Sequence, residues 1–131
     1  MSNMFCFIVD GPPVPKQSTR FDGHGHAHTA PRVKAWQDLV SWKAKEAMTG
    51  REILTCDVAI RCVFVLNNHR RVDSGNLEKC IEDALNGIVY IDDCQIVNTH
   101  IVKHVYPKAT AGVFIEIHPG GDLPPFYEVK K

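Results

Sequence analysis

Between Cys56 and Leu66 the chain alternates without a break. Cys56, Val58, Ile60, Cys62, Phe64 and Leu66 stand on one side, and Asp57, Ala59, Arg61, Val63 and Val65 on the other. Strand side chains point to opposite faces with a period of two, so this run predicts a strand with one face committed to a core. Such a strand needs partners for its backbone N–H and C=O groups and a cover for its apolar face. The flanking sequence supplies both. Phe5, Phe7 and Val9 alternate with Cys6 and Ile8 and are stopped by Gly11-Pro12-Pro13. Ile96 to Val105 reads as a second long strand, and Val113, Ile115 and Ile117 as the last one. Ile88–Ile91 is β-prone and is expected to add a short strand. From about Pro31 to Met48 the apolar residues Trp36, Leu39, Val40, Ala44, Ala47 and Met48 recur at helical spacing before Gly50. Leu77, Cys80, Ile81, Ala84 and Leu85 do the same before Asn86-Gly87. The order of elements predicts one small α+β domain spanning 1–131: a mixed β-sheet with two main helices packed on one face.

Composition narrows the classes of function. No run approaches the roughly 18 apolar residues of a membrane span, and the N-terminal apolar stretch is too short and lacks the basic leader of a signal peptide. The five cysteines (Cys6, Cys56, Cys62, Cys80 and Cys94) form no C-x-x-C pair. Cys6, Cys56, Cys62 and Cys80 fall within apolar patterns and read as small hydrophobes, so the expected compartment is reducing and cytoplasmic. The formal net charge is zero, but it is unevenly spread. Residues 1–71 carry 10 basic and 6 acidic side chains, residues 72–99 carry 1 and 6, and residues 100–131 carry 4 and 3. An acidic block inside an otherwise basic chain is either a solvated helix face or a divalent-cation site in a protein that attracts anions.

That block surrounds the second helix. Asp73 stands just before its start, where an acid is favoured by the helix dipole; Ser74 or Asn76 can cap the helix, and capping is also the ordinary account of Asp73. Lys79 faces the unfavourable end of the same dipole, one turn before Asp83. A solvated ion pair explains it, and so does a cation placed for a phosphate or a leaving oxygen. If Ile88–Ile91 runs back along the helix, Asp92 and Asp93 come near Asp73, and converging carboxylates bind Mg²⁺. Lys16, Arg20, Arg32, Lys34, Arg70 and Arg71 are candidates for phosphate contacts, with Arg70 and Arg71 favoured because they immediately precede the acidic site. Residues 11–32 are rich in Gly, Pro, His and basic side chains, and a loop of that length without periodicity points to function or mobility. His24, His26 and His28 within it invite a zinc or nickel reading, although nothing nearby supplies a fixed scaffold. Trp36 belongs to the apolar stripe of the first helix. Residues 119–131 form a turn-rich tail.

The stretch Asp73-x-x-Asn76-Leu77-x-Lys79-x-x-x-Asp83-Ala84-Leu85-Asn86-Gly87, followed by Asp92-Asp93-x-Gln95-Ile96-Val97, resembles the RusA-type Holliday junction resolvases, which are often phage- or prophage-encoded. Gly11-Pro12-Pro13-Val14-Pro15-Lys16-Gln17-Ser18-Thr19-Arg20 and the Trp36 helix look like that family's opening. The resemblance implies a homodimer that cuts four-way DNA junctions symmetrically, in recombination and repair, with Mg²⁺ or Mn²⁺. It places Asp73 and Asp93 on metal-binding aspartates, Asp92 beside the latter, and Lys79 on the catalytic lysine, with Asn76 and Asp83 in supporting positions, and it implies that the mobile loop 11–32 faces DNA, with Phe21 either a junction wedge or an anchor against the fold. The family's Asp-x-Asp has its second aspartate where this chain has Gly75. Two readings follow: a nuclease in which Ser74, Asn76, Asp83, Asp92 or water makes up the ligand set, or a junction-binding protein with weak or no cleavage.

Overall fold

The computed structural model describes residues 3–16, 20–21, 27–28, 30–68 and 72–125, of residues 20–21 and 27–28 the backbone only. Its central sheet has the strand order β1-β6-β4-β5, with β1 Phe5–Asp10, β4 Val58–Leu66, β5 Ile96–Val105 and β6 Gly112–Pro119. β6 is antiparallel to both β1 and β4, whereas β4 and β5 are parallel. A parallel pair cannot be closed by a hairpin, so the chain crosses over through helix α2, Ser74–Leu85. Helix α1, Pro31–Ala47, begins with proline at its first turn and ends ahead of Gly50, whose φ of 76° suits a residue without a side chain. The domain is α+β with a mixed sheet and two helices, as expected.

The register explains the core. Across β1, β6 and β4, Phe5, Ile117 and Ile60 stand in one row, and Val9, Val113 and Phe64 in another. These side chains are buried against Val33, Trp36, Val40 and Ala44 of α1 and Leu77, Cys80, Ile81 and Leu85 of α2. The helices are also tied by side chain to backbone: Ser41 Oγ donates to Ala84 O at 2.8 Å and Gln37 Nε2 to Cys80 O at 3.2 Å. Among the described residues no helix is long and apolar enough to cross a membrane.

Four details differ from the sequence expectation. Ile88–Ile91 is not a strand. Gly87 takes a φ of 78°, the amides of Ile88 and Val89 bond back to Leu85 O, and Tyr90 makes only isolated bridges to Leu54 and Asn86. The chain therefore curls under the end of α2 instead of extending along it. The first residues of the alternating run, Cys56 and Asp57, precede β4, leaving Cys56 exposed. Cys6 is exposed because it lies on the face of the edge strand β1 turned away from the helices, while Cys62 and Cys80 are buried as small hydrophobes. Within residues 11–32, Arg20–Phe21 and Ala27–His28 pair as a two-stranded ladder (β2 and β3), and the segment before it is anchored: Val14 is buried and Lys16 N donates to Asn76 O at 2.9 Å.

The sheet face turned away from the helices holds a charged row. Arg61 of β4 stands between Glu116 of β6 and His100 of β5 and is only 3% exposed. Its Nη1 donates to Glu116 Oε2 at 3.0 Å, its Nε to His100 Nδ1 at 3.0 Å, and its Nη2 to Pro124 O. Removing one member of a buried pair leaves the other charge without compensation. Arg61→Leu is expected to destabilise the fold by about 3 kcal/mol, and adding Glu116→Leu to recover most of the loss, as read by urea unfolding. An additive loss in the double variant would show that the pair is not coupled.

Candidate active site

Helix α2 presents the site because its apolar stripe is taken up by the sheet. With Leu77, Ile81 and Leu85 turned inward, Lys79 and Asp83 project from the other side. The helix starts at Asp73, whose Oδ1 accepts from Gly75 N at 2.7 Å and Asn76 N at 3.2 Å. The N-cap is thus Asp73, not Ser74 or Asn76, both of which lie inside the helix. A Cβ on residue 75 would stand 3.1 Å from that oxygen, so the glycine gives the Asp73 carboxylate room to fold back over the helix start.

Lys79 is held by two carboxylates. Its Nζ donates to Asp93 Oδ2 at 2.9 Å and lies 3.3 Å from Asp83 Oδ1, and Asp83 Oδ2 in turn accepts from Lys16 Nζ. Lys16, Asp83, Lys79 and Asp93 therefore alternate in sign along one path. The hydrogen bond to Asp93 is the largest influence raising the Lys79 ammonium above its usual range. These partners offset the unfavourable dipole at this end of the helix.

Asp92 and Asp93 sit on a short 3-10 turn, Asp93–Gln95, which Asp92 caps by accepting from Cys94 N at 3.3 Å. Hydrogen bonds from the Cys94 thiol and amide hold the exposed Asp92 carboxyl below its usual range. The structure thus joins Lys16, Lys79, Asp83 and Asp93. Asp73 lies apart from this path, at the N-terminus of the same helix, with Asn76 one turn in. Lys34 pairs with Asp38 within α1, at 3.3 Å, and Trp36 is in the core as expected. Arg70, Arg71, His24 and His26 lie outside the described residues, and Arg20, Phe21 and His28 are described by backbone alone.

Among the described residues no three carboxylate, histidine or cysteine side chains converge as a ready-made metal cage. The donors at hand are hard carboxylate oxygens, and the hydrogen bonds above use neither Asp73 Oδ2 nor Asp93 Oδ1. Such a set suits a cation that keeps several waters and is held by one or two carboxylates together with substrate phosphate oxygens.

Three residues near the site escaped the sequence reading. Lys103 of β5 donates to Val72 O at 2.7 Å, directly before Asp73; nothing in the sequence ties it to that position, which the parallel crossover creates. Glu78 and Glu82 share one side of α2, a like-charge i, i+4 pair visible in the sequence. Burial, then the Glu78 carboxylate, pushes Glu82 up to about 8. The folded state therefore favours protonated Glu82, while the unfolded chain ionises it near the usual carboxylate range. Its contribution is present in acid and is lost as pH rises through about 8. Glu82→Gln is expected to lose part of the fall in Tm that the parent undergoes between about pH 5 and 8, measured by calorimetry across that range. Parallel Tm profiles would overturn the assignment.

The family model described as Endodeoxyribonuclease RusA matches residues 10–118, from the last residue of β1 through both helices, the α2 site, β4 and β5 to His118 near the end of β6. No curated protein matches the chain.

Proposed function

The chain belongs to the RusA endodeoxyribonuclease family, whose activity is the nucleolytic resolution of Holliday junctions, and from that premise we propose a Mg²⁺- or Mn²⁺-dependent cut by a homodimer with one site per protomer. The observation that carries the proposal is the Lys79 ammonium hydrogen-bonded to Asp93, on the polar side of a helix whose N-cap is Asp73. In this reading Asp73 and Asp93, with the adjacent Asp92, would hold the cation. When bound, the cation supplies Lewis-acid polarisation of the phosphate and a water of lowered pKa. Lys79 stabilises the charge that develops on the phosphate or the leaving oxygen. That ammonium, now on Asp93, is the donor that would reach a phosphate oxygen. Asp83 keeps hold of it from the other side, and Lys16 balances Asp83. Arg20, Arg70 and Arg71 are proposed backbone-phosphate contacts, salt-sensitive and indifferent to sequence. Two symmetric nicks need two sites related by a twofold axis, which the homodimer supplies. Action on intracellular DNA and free thiols suit a reducing cytoplasm.

Gly75 carries a second reading, a junction-binding protein with weak cleavage. The glycine removes a carboxylate and lets Asp73 spend one oxygen on two backbone amides. Both readings are separated by cleavage of a synthetic four-way junction in Mg²⁺ and in Mn²⁺. The nuclease reading expects paired nicks, at least a 100-fold slower rate for Lys79→Met, about the loss seen when one transition-state donor is removed, and no cutting by Asp93→Asn. The binding-only reading expects retention of the junction without nicks and a gain of cutting in Gly75→Asp. No cutting by either form sinks the nuclease proposal. In sedimentation, a mass near twice the 14.7 kDa protomer is expected.

A further inference from the structure

The turn that carries Asp92 and Asp93 is exposed and short, so something outside it must decide where Asp93 points. Gln95 closes that turn and uses both ends of its amide. Oε1 accepts from Ile91 N at 2.9 Å and Asp92 N at 3.1 Å, and Nε2 donates to Leu54 O at 2.8 Å and Cys56 O at 2.9 Å. A carboxamide has two acceptor sites and two donor hydrogens, so its capacity is filled. The orientation is unambiguous, since the flipped amide would set N–H against N–H and oxygen against two carbonyls. The two ends also reach different parts of the chain. One holds the backbone on which Asp92 and Asp93 sit, and the other holds the segment that leads into β4, the strand at the centre of the core.

We propose that Gln95 is a positioning residue that clips the Asp92–Asp93 turn to the root of β4 and so sets the cation affinity of the site, an inference that rests on the cation reading above. The physical reason is geometric. Asp93 is reached only through this turn, and a cation held by few protein oxygens tolerates little misplacement of one of them. Lys79 is the weaker clip, because it is itself a long, half-exposed side chain on the solvent side of the helix. Groups that orient a ligand from behind typically contribute 10- to 100-fold to metal affinity.

The test uses the full chain and Mn²⁺ alone, titrated by electron paramagnetic resonance, beside junction cleavage at graded Mn²⁺. Gln95→Met keeps length and bulk and removes all four hydrogen bonds. It is expected to weaken Mn²⁺ binding by about 10- to 100-fold, to raise the Mn²⁺ needed for half-maximal cutting in step, and to leave metal-free junction binding unchanged. Arg61→Leu, destabilised on the opposite face of the sheet, serves as the control and is expected to keep the parent's Mn²⁺ affinity. Unchanged Mn²⁺ affinity in folded Gln95→Met overturns the proposal, as does an equal loss in Arg61→Leu, which would make the effect one of stability. If the parent binds no Mn²⁺, or Asp93→Asn binds it equally well, the cation reading fails and the role of Gln95 falls with it. A parent that binds Mn²⁺ through Asp93 while Gln95→Met binds it unchanged overturns the Gln95 proposal alone.

Discussion

The burial of one side of helix α2 is the constraint on which the site depends. Leu77, Cys80, Ile81 and Leu85 have to leave water, and the sheet face formed by β6 and β4 is where they go. Once that stripe is seated, the rotation of the helix about its axis is settled, and Lys79 and Asp83 are directed away from the core, where Asp93 and Lys16 pair with them. The crossover geometry follows from the same element. Because α2 joins two parallel strands, its N-terminus lies near the end of β4 and its exit leads through a tight turn to the start of β5, so Asp73 and Asp93 are brought to the same helix from opposite ends of the connection.

Electrostatics on that surface are organised as alternation. Lys16, Asp83, Lys79 and Asp93 follow one another with opposite signs, drawn from three separate stretches of chain. Partly exposed pairs of this kind contribute little to stability, and their effect is to hold each side chain where a neighbour can use it. The zero formal charge of the chain is thus compatible with a phosphate-bearing partner. It is the sum of a basic first half, a compact acidic segment and a slightly basic C-terminal part, and the acidic segment is the one that carries its own lysine.

Much of this was legible in the chain before the fold was known. Alternation located β1, β4 and β6, and helical spacing located α1 and α2, because each of these elements buries one face and must show its period; β5, with no fully buried face, read as a strand without such a period. Ile88–Ile91 misled for a physical reason: its β-branched residues suit a strand, but Gly87 turns the backbone back toward Leu85 before a ladder can form. Arg61 was readable as the outward-facing residue of a strand, yet its burial was not. Outward from the helices is not outward to water when Glu116, His100 and the Pro124 carbonyl close over the guanidinium. Cys6 and Cys56 read as core residues because a cysteine carries no sign of which face it occupies at an edge or ahead of a strand.

The sequence by itself determined the class of fold, the family and the segment proposed to carry the chemistry, since periodicity and the spacing from Asp73 to Val97 are properties of the chain alone. Only the tertiary structure decided which of those residues meet. Asp93 and Lys79 are 14 positions apart and come within 2.9 Å because the turn after α2 reverses the chain. Lys16 reaches Asp83 across 67 positions because the segment after β1 is pinned to Asn76. Gln95 reads as one polar residue of a motif until Leu54 and Cys56 offer it their carbonyls. Local patterns report what a residue must bury or expose. Which distant partner it finds depends on how the buried faces stack, and that is settled only when the whole core closes.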